Sequence, residues 1–386
     1  MKIVDVCAFY SPDGGGVKTY VGQKLAAAEQ FGHDITILAP GDDNAVIELS
    51  SAARIRTIKS PRFPLDRKYW FFHDQVTLHA ALDELTPDFV EASSPWRSPI
   101  MVANWRSDIP KALIMHADPL SAYAYRWLEP ILTRATIDRR LDRFWSHLRE
   151  LGRQYDVVVC ASNDLAERLR NGGVANVVTV AMGVEANRFS PSKRNSDLRA
   201  SLLSECGLDP DATLLVSAGR LAPEKRLPML VEAVTMAGRH RKLGLAIFGE
   251  GREHSAILRA IGGNPHIRLF RPERNRERFA SILASADALL HGCEAETFCM
   301  TAAEAQASGT QVIVPDRGGA ADFAAAGLGL TYRSADRGDL VRAISELPET
   351  SIRRQNRTCI RAMDDHFASL FEVYRTLKQA PFVRAA

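Results

Sequence analysis

Glu296 and Glu304 stand eight positions apart in Glu296-Thr297-Phe298-Cys299-Met300-Thr301-Ala302-Ala303-Glu304. The two carboxylates flank small residues that read as a helix start, continued by Ala305 and Ala307 and stopped at Ser308-Gly309. A helix start offers unpaired backbone amides, which suit a phosphate. If all eight steps are helical, the carboxylates lie about 12 Å apart along the axis. That span brackets a diphosphate, with one carboxylate on a sugar and the other on a ribose. On a surface helix the same two residues would be ordinary solvated glutamates.

Other chemistry-bearing residues lie upstream. Arg220 and Lys225 follow the strand-like run Thr213-Leu214-Leu215-Val216. Fixed positive charge holds a diphosphate and stabilises it as it departs, Arg as a planar fork and Lys as a point charge. Gly249 and Gly251, after Leu245-Ala246-Ile247-Phe248, allow close backbone approach to a ligand. Gly251 is followed by Arg252-Glu253-His254, without the third glycine of a dinucleotide fingerprint, which argues against a nicotinamide-dependent oxidoreductase. Gly14-Gly15-Gly16 precede the helical stretch Val17 to Gln30 and suit an anion. His116 ends the strand-like Leu113-Ile114-Met115, and Asp118 is placed to orient it.

The elements that must position these groups are short apolar runs alternating with helical stretches. In the first half the strand candidates are Ile3 to Phe9, Asp34 to Ala39, Arg54 to Ile58, Phe89 to Ala92, Ala112 to His116, Asp156 to Ala161 and Val177 to Ala181. Buried parallel strands read this way, and the alternation argues for α/β layers. In such sheets ligands bind beyond the carboxyl ends of the strands. With 386 residues there is room for two domains.

Four segments together carry a resemblance: Gly219-Arg220-Leu221 with Glu224-Lys225, Gly249-Glu250-Gly251, the Glu296 and Glu304 pair, and Gly318-Gly319. The set resembles the retaining family 4 glycosyltransferases of the GT-B fold. The resemblance implies an α/β architecture of two facing Rossmann-like domains with an interdomain cleft. Residues 1–185 would form the acceptor-side domain and 190–360 the nucleotide-sugar donor domain, with a helix at about 364–380 returning to the first. It also implies roles. Arg220 and Lys225 contact the donor diphosphate, Glu296 the transferred sugar and Glu304 the ribose. Gly15, Gly16, Gly249, Gly251, Phe298, Cys299 and Met300 border the donor. Arg271 lies near the base and His116 near the reacting sugar. Catalysis would rest on His116, Glu296, Arg220 and Lys225. Two departures stand out: the family usually has glycine where this chain has Arg226 and Cys299.

The implied reaction moves a hexose-type sugar from a UDP- or GDP-linked donor to a hydroxyl acceptor, with retention. Competing readings are a sugar-nucleotide-binding scaffold of the same fold, or an epimerase or phosphorylase relative. No cofactor beyond the donor is expected, and metal is not expected to be essential, because the cations and the helix start supply positive charge and no Asp-x-Asp occurs. The six cysteines (Cys7, Cys160, Cys206, Cys293, Cys299, Cys359) lack metal-type spacing and read as reduced thiols. A net charge of +3 and the lack of a recognition motif argue against nucleic acid. The chain opens on the strand-like Lys2 to Val6 and has no apolar run of about 18 residues, so a cytoplasmic location is expected. Basic residues interleave with aromatics across Arg54 to Phe72, and a helical stretch from Arg126 to Arg153 is rich in arginine. Such surfaces suit anionic headgroups, a lipid-linked acceptor and peripheral placement on the inner membrane face. A solvated loop and an ordinary charged helix are the plain alternative.

Overall fold

The computed structural model describes residues 1–12, 16–64, 67–185, 187–325, 329–348 and 360–379. The chain divides into two compact units. The first comprises Met1–Asp118, Leu128–Ala181 and Met363–Ala386, the second Pro119–Trp127 and Met182–Ala362. Among the described residues no helix is long and apolar enough to cross a membrane.

The first unit holds an eight-stranded sheet. Its strands are β1 (Lys2–Val6), β2 (Asp34–Gly41), β3 (Ala45–Ser50), β4 (Ala53–Lys59), β5 (Phe89–Ser93), β6 (Lys111–Ile114), β7 (Val157–Cys160) and β8 (Val177–Thr179). They lie in the order β3-β4-β2-β1-β5-β6-β7-β8, parallel throughout except for the antiparallel β3–β4 edge. Strand order reverses between β1 and β5, where Asp5 lies in register with Glu91. The helix Gly16–Gln30 covers this point and places Lys24, fully buried, 3.0 Å from Asp5 and on the Glu91 carboxylate. Helix Met363–Gln379 packs in the same unit. Its buried Phe367, Leu370, Phe371 and Tyr374 follow the spacing of one helical face. Phe371 meets Phe31 and His33, and Tyr374 stacks on Phe89 with ring centroids 4.0 Å apart.

The second unit holds β9 (Thr213–Ala218), β10 (Leu243–Phe248), β11 (Ile267–Phe270), β12 (Ala288–Leu290), β13 (Gln311–Pro315) and β14 (Gly329–Tyr332). The order is β11-β10-β9-β12-β13-β14, all parallel. Numbered by appearance within the unit this is 3-2-1-4-5-6, the doubly wound order of dinucleotide-binding sheets. Both faces are covered. Leu214, Val216, Leu289 and Val312 pack on one side, and Leu215, Leu245, Leu290 and Ile313 on the other.

Two sequence expectations change here. Arg126 to Arg153 is not one helix. A π-helical turn Leu120–Tyr125 runs into Arg126–Leu128, and separate helices follow at Arg134–Arg140 and Asp142–Gln154. Pro130 accounts for the interruption, since it removes a backbone donor and disfavours helical geometry before it. Half of the basic run from Arg54 is paired with acids from elsewhere in the unit. Arg54 pairs with Asp34 and Glu48, Arg56 with Glu84, and Arg62 with Asp42. Phe72 is buried, and Trp70 donates to Asp42 at 2.8 Å while stacking on Arg62.

Candidate active site

In the second unit strand order reverses between β9 and β12, so the loops leaving these two strands flank the crevice where doubly wound sheets bind ligands. The β9 loop carries Arg220 and Lys225; the β12 loop carries His291 to Cys299. A small recess between them is lined by Ser217, Gly219, Arg220, Lys225, His291 and Gly292.

Several glycines let these loops close on each other. A Cβ on Gly249 would lie 2.1 Å from the Gly219 carbonyl oxygen, and one on Gly251 would lie 2.4 Å from that of Leu221. The Gly-x-Gly turn therefore supports the Arg220 loop from below, locked by Leu221 N–H donating to Glu250 at 2.9 Å. Gly249→Ala should destabilise the protein by about 1–3 kcal/mol, because backbone has to shift to admit the methyl; urea unfolding of the pair checks this. Gly318, at φ +78°, and Gly319 clasp the β12 loop in the same way, and Gly319 N–H donates to the Glu296 carbonyl at 2.7 Å.

The helix after β12 starts at Met300, not before the first glutamate. Glu296 stands in the loop and only Glu304 is on the helix, so the all-helical spacing of the pair does not hold. The cause is Cys299, which caps the helix at φ +76°, ψ 72°. Arg226 likewise sits in the left-handed region, at φ +48°, at the start of helix Leu227–Ala237. These are the two positions where the resembled family carries glycine, and a left-handed conformation costs a non-glycine residue about 1–2 kcal/mol. The backbone keeps the glycine conformation, and each side chain gains a buried partner. Arg226 pairs with Glu294, which is 3 % exposed, and Cys299 is buried 3.6 Å from His291 Nε2.

Lys225 Nζ binds the Glu296 carboxylate, and His291 Nε2 lies 3.7 Å from the same oxygen. Burial raises the Glu296 carboxyl, but Lys225 and His291 overcome it and hold the group down at about 2. Burial works against charge on Lys225 too, yet Glu296 keeps it above its ordinary value. The pair is an ammonium and a carboxylate at neutral pH. His291, by contrast, is pushed down to about 4 by burial and then by Lys225, and is neutral. Its carbonyl accepts from Tyr332 Oη at 2.9 Å, which anchors the loop to β14. Arg220 is mostly exposed and bonds Glu224 at 3.0 Å.

Glu304 is buried and meets Arg276 at 2.5 Å; burial raises its pKa against the pull of Arg276. Arg276 also lies 3.7 Å from Glu185 and over the Phe189 ring. Phe298 is buried against Phe323, and Met300 opens the helix. Arg271 is exposed at the end of edge strand β11, two strands from β9. In the first unit His116 packs edge-on against Tyr20, whose hydroxyl is 3.1 Å from His366. Burial lowers the His116 pKa to about 4, so it too is neutral. Asp118, placed by sequence to orient His116, accepts from Arg168. Gly16 starts its helix with open space around it, while Gly14 and Gly15 lie outside the described residues.

The structure thus brings Arg220, Lys225, Glu296 and Cys299 together with His291, and sets Glu294 on Arg226 and Arg276 on Glu304; the sequence reading assigned no role to His291, Glu294 or Arg276. His291 carried one available signal, its place directly after a strand in the loop that leads to Glu296. His291 Nε2, Glu296 and Cys299 Sγ lie within 4.8 Å of one another and could hold a metal ion.

Comparison with known proteins bears on the family and the fold. The family model described as Glycosyltransferase Family 4 matches residues 14–188, and that described as Glycosyl transferases group 1 matches 203–361. A GDP-mannose-dependent alpha-mannosyltransferase of Mycobacterium tuberculosis is 29% identical over 330 residues, covering 84% of this chain and 81% of the relative. A GDP-mannose-dependent alpha-(1-6)-phosphatidylinositol dimannoside mannosyltransferase of that species is 28% identical over 376 residues, 95% of this chain and 92% of the relative. Among solved structures, sucrose-phosphate synthase from Thermosynechococcus elongatus superposes with a TM-score of 0.73 at 18% identity, covering 98% of this chain and 99% of that one. With both halves matched by glycosyltransferase models and a doubly wound sheet presenting its paired charges at the switch point, the chain belongs to the family 4 glycosyltransferases of the GT-B fold.

Proposed function

We propose that this enzyme transfers a mannosyl residue from GDP-mannose to a hydroxyl of an inositol-lipid glycan, with retention of anomeric configuration. The observation that carries the reading is the Lys225–Glu296 ion pair, whose Lys225 lines the recess at the β9–β12 switch point. The names of the two mannosyltransferase relatives supply the donor and the acceptor class.

In this reading Lys225 and Arg220 neutralise the diphosphate as the glycosidic bond breaks, when charge on the leaving oxygen is greatest. Glu296 accepts from hydroxyls of the sugar, and Lys225 keeps it ionised for that purpose. Backbone amides at Phe298, Cys299 and Met300 add donors at the start of the helix. Glu304 binds the ribose once Arg276 shares or yields its carboxylate. Gly249 and Gly251 act through the Arg220 loop, Arg271 borders the base, and Gly15 and Gly16 offer backbone amides to an anion. His116, neutral in its niche, is a hydrogen-bonding group for a reacting sugar or acceptor. Retention follows if the acceptor hydroxyl attacks from the face the diphosphate leaves, with a leaving phosphate oxygen taking the proton. This route needs no carboxylate nucleophile at the anomeric carbon. The reading calls on no metal, because Lys225, Arg220 and the helix start supply the positive charge that the diphosphate meets.

A lipid acceptor implies work at a membrane surface, here the cytosolic face. The exposed Ile131 and the exposed Arg139, Arg140 and Arg143 on the following helices support contact with anionic headgroups. Arg140→Glu with Arg143→Glu should weaken sedimentation with phosphatidylinositol-containing vesicles by about 2 kcal/mol, some thirtyfold; unchanged sedimentation would remove the membrane part of the reading. The chemistry is tested by incubating GDP-mannose with a phosphatidylinositol mannoside and determining the anomeric configuration of the product by NMR. An α-linked mannoside supports the reading. A β-linked product would overturn retention, and no transfer from GDP-mannose would overturn the donor assignment.

A further inference from the structure

We propose that His291 Nε2, Glu296 Oε1 and Cys299 Sγ form a three-ligand site for a thiophilic dication of the zinc class, and that filling it competes with use of the same glutamate by the donor sugar. Three different ligand types converge on one point, from the end of β12 and the loop after it. The His291–Cys299 distance is 3.6 Å and the His291–Glu296 distance 3.7 Å. Tetrahedral zinc with ordinary bond lengths requires about 3.6 Å between nitrogen and sulfur and about 3.4 Å between nitrogen and oxygen. All three atoms already lie within 4.8 Å of one another, so small rotations complete the set. The His291 backbone is anchored as well, its carbonyl accepting from Tyr332 Oη at 2.9 Å, so the imidazole is carried on a fixed strand end.

The cysteine is the informative member. It occupies a left-handed backbone position suited to glycine, with its thiol buried beside the imidazole. Glycine there would supply no sulfur, and the remaining imidazole and carboxylate make a weak pair. Binding balances as follows. The Cys299 thiol loses its proton to solvent as the sulfur–metal bond forms, His291 donates its nitrogen lone pair, and Glu296 shifts one oxygen from Lys225 to the metal. Three protein ligands leave a fourth position open to water or a phosphate oxygen. Lys225, a structural neighbour of the carboxylate, opposes the metal, so occupancy belongs to an inhibited form and not to the working enzyme.

The site is tested by titrating the full chain with cobalt(II) and following thiolate-to-cobalt charge transfer in the near ultraviolet. One equivalent should give a saturable band that zinc(II) abolishes. Losing the sulfur should weaken cobalt binding by at least about 10–100-fold. Cys299→Gly, which relaxes the backbone, and Cys299→Ser should both lose the band, and His291→Gln should weaken binding similarly. A missing band at one equivalent, or a band that survives in the Cys299 variants, overturns the site. Competition with the donor rests on the proposed function. Zinc should cut transfer at least about tenfold in the parent and proportionally less in Cys299→Gly; equal sensitivity of both proteins overturns the competition. The absorbance readout needs no turnover, so failure of the metal site and failure of the transferase reading are told apart.

Discussion

Lys225→Met should lower turnover with the sugar nucleotide about 10²- to 10³-fold, the loss typical of removing one preorganised donor aimed at developing charge. The side chain sits where the β9 loop meets the β12 loop, and its ammonium is held on by Glu296. Its removal takes away a charge on the leaving diphosphate and the partner that keeps Glu296 ionised. Glu296→Gln should lose a comparable factor, and the double variant should lose far less than the product of the two, because the residues act as a unit. The pH profile adds a check with a defined sign. The folded pKa of Glu296 is depressed, to about 2 from 4.5, so its contribution is present above about pH 4.5 and is lost only as pH falls toward 2. Activity limited by this pair is therefore flat from pH 7 to about pH 5. Full activity in Lys225→Met would show that the recess is not where chemistry happens.

Lys24→Met should destabilise the protein by about 3–5 kcal/mol, the cost of stripping one partner from a buried ionic group. Lys24 is fully buried between Asp5 and Glu91, which face each other on the two central strands of the first sheet. Without the ammonium two carboxylates share an apolar site. A loss of that size is a large part of ordinary domain stability, and chemical unfolding measures it. Glu91→Gln is the informative control. Burial raises the Glu91 carboxyl to about 7 against the pull of Lys24, from an ordinary value of 4.5. A raised folded pKa means that the contribution is complete below about pH 4.5 and lost as pH rises through about 7. The stability of Glu91→Gln relative to the parent should therefore increase between pH 5 and pH 8. A constant difference would mean that Glu91 does not titrate in this range.

Most of the parallel strands were legible because each is a short apolar run bounded by polar turns, as in Leu214-Leu215-Val216 and Val312-Ile313-Val314; the parallel edge strand β14, Gly329-Leu330-Thr331-Tyr332, was not, since only Tyr332 in it is buried. Nor was strand β3. Val46, Ile47 and Leu49 are exposed on an antiparallel edge, where no burial pattern marks the face. The charged partners of the donor loops were legible in type and spacing, but not in conformation. Nothing local announces that Cys299 and Arg226 keep left-handed geometry, because that geometry is enforced by packing from Gly318, Gly319 and Gly292 on other loops. Arg276 and Glu294 were missed for a related reason: their partners, Glu304 and Arg226, are 28 and 68 positions away. The buried triad did leave a trace. Asp5 and Glu91 are acids inside otherwise apolar strands, a pattern that calls for a buried cation.

Thermal unfolding of the full chain with and without GDP-mannose, in the absence of metal and beside UDP-glucose and ADP-glucose, tests the donor site most directly. Ligand at about 100 times its dissociation constant adds roughly 2.7 kcal/mol, a rise of several degrees for a protein of this size. GDP-mannose should raise the midpoint in the parent and not in Lys225→Met, and the other two sugar nucleotides should do little. A cooperative transition unmoved by GDP-mannose, or moved equally in Lys225→Met, would contradict the assignment of the β9–β12 recess as the donor site.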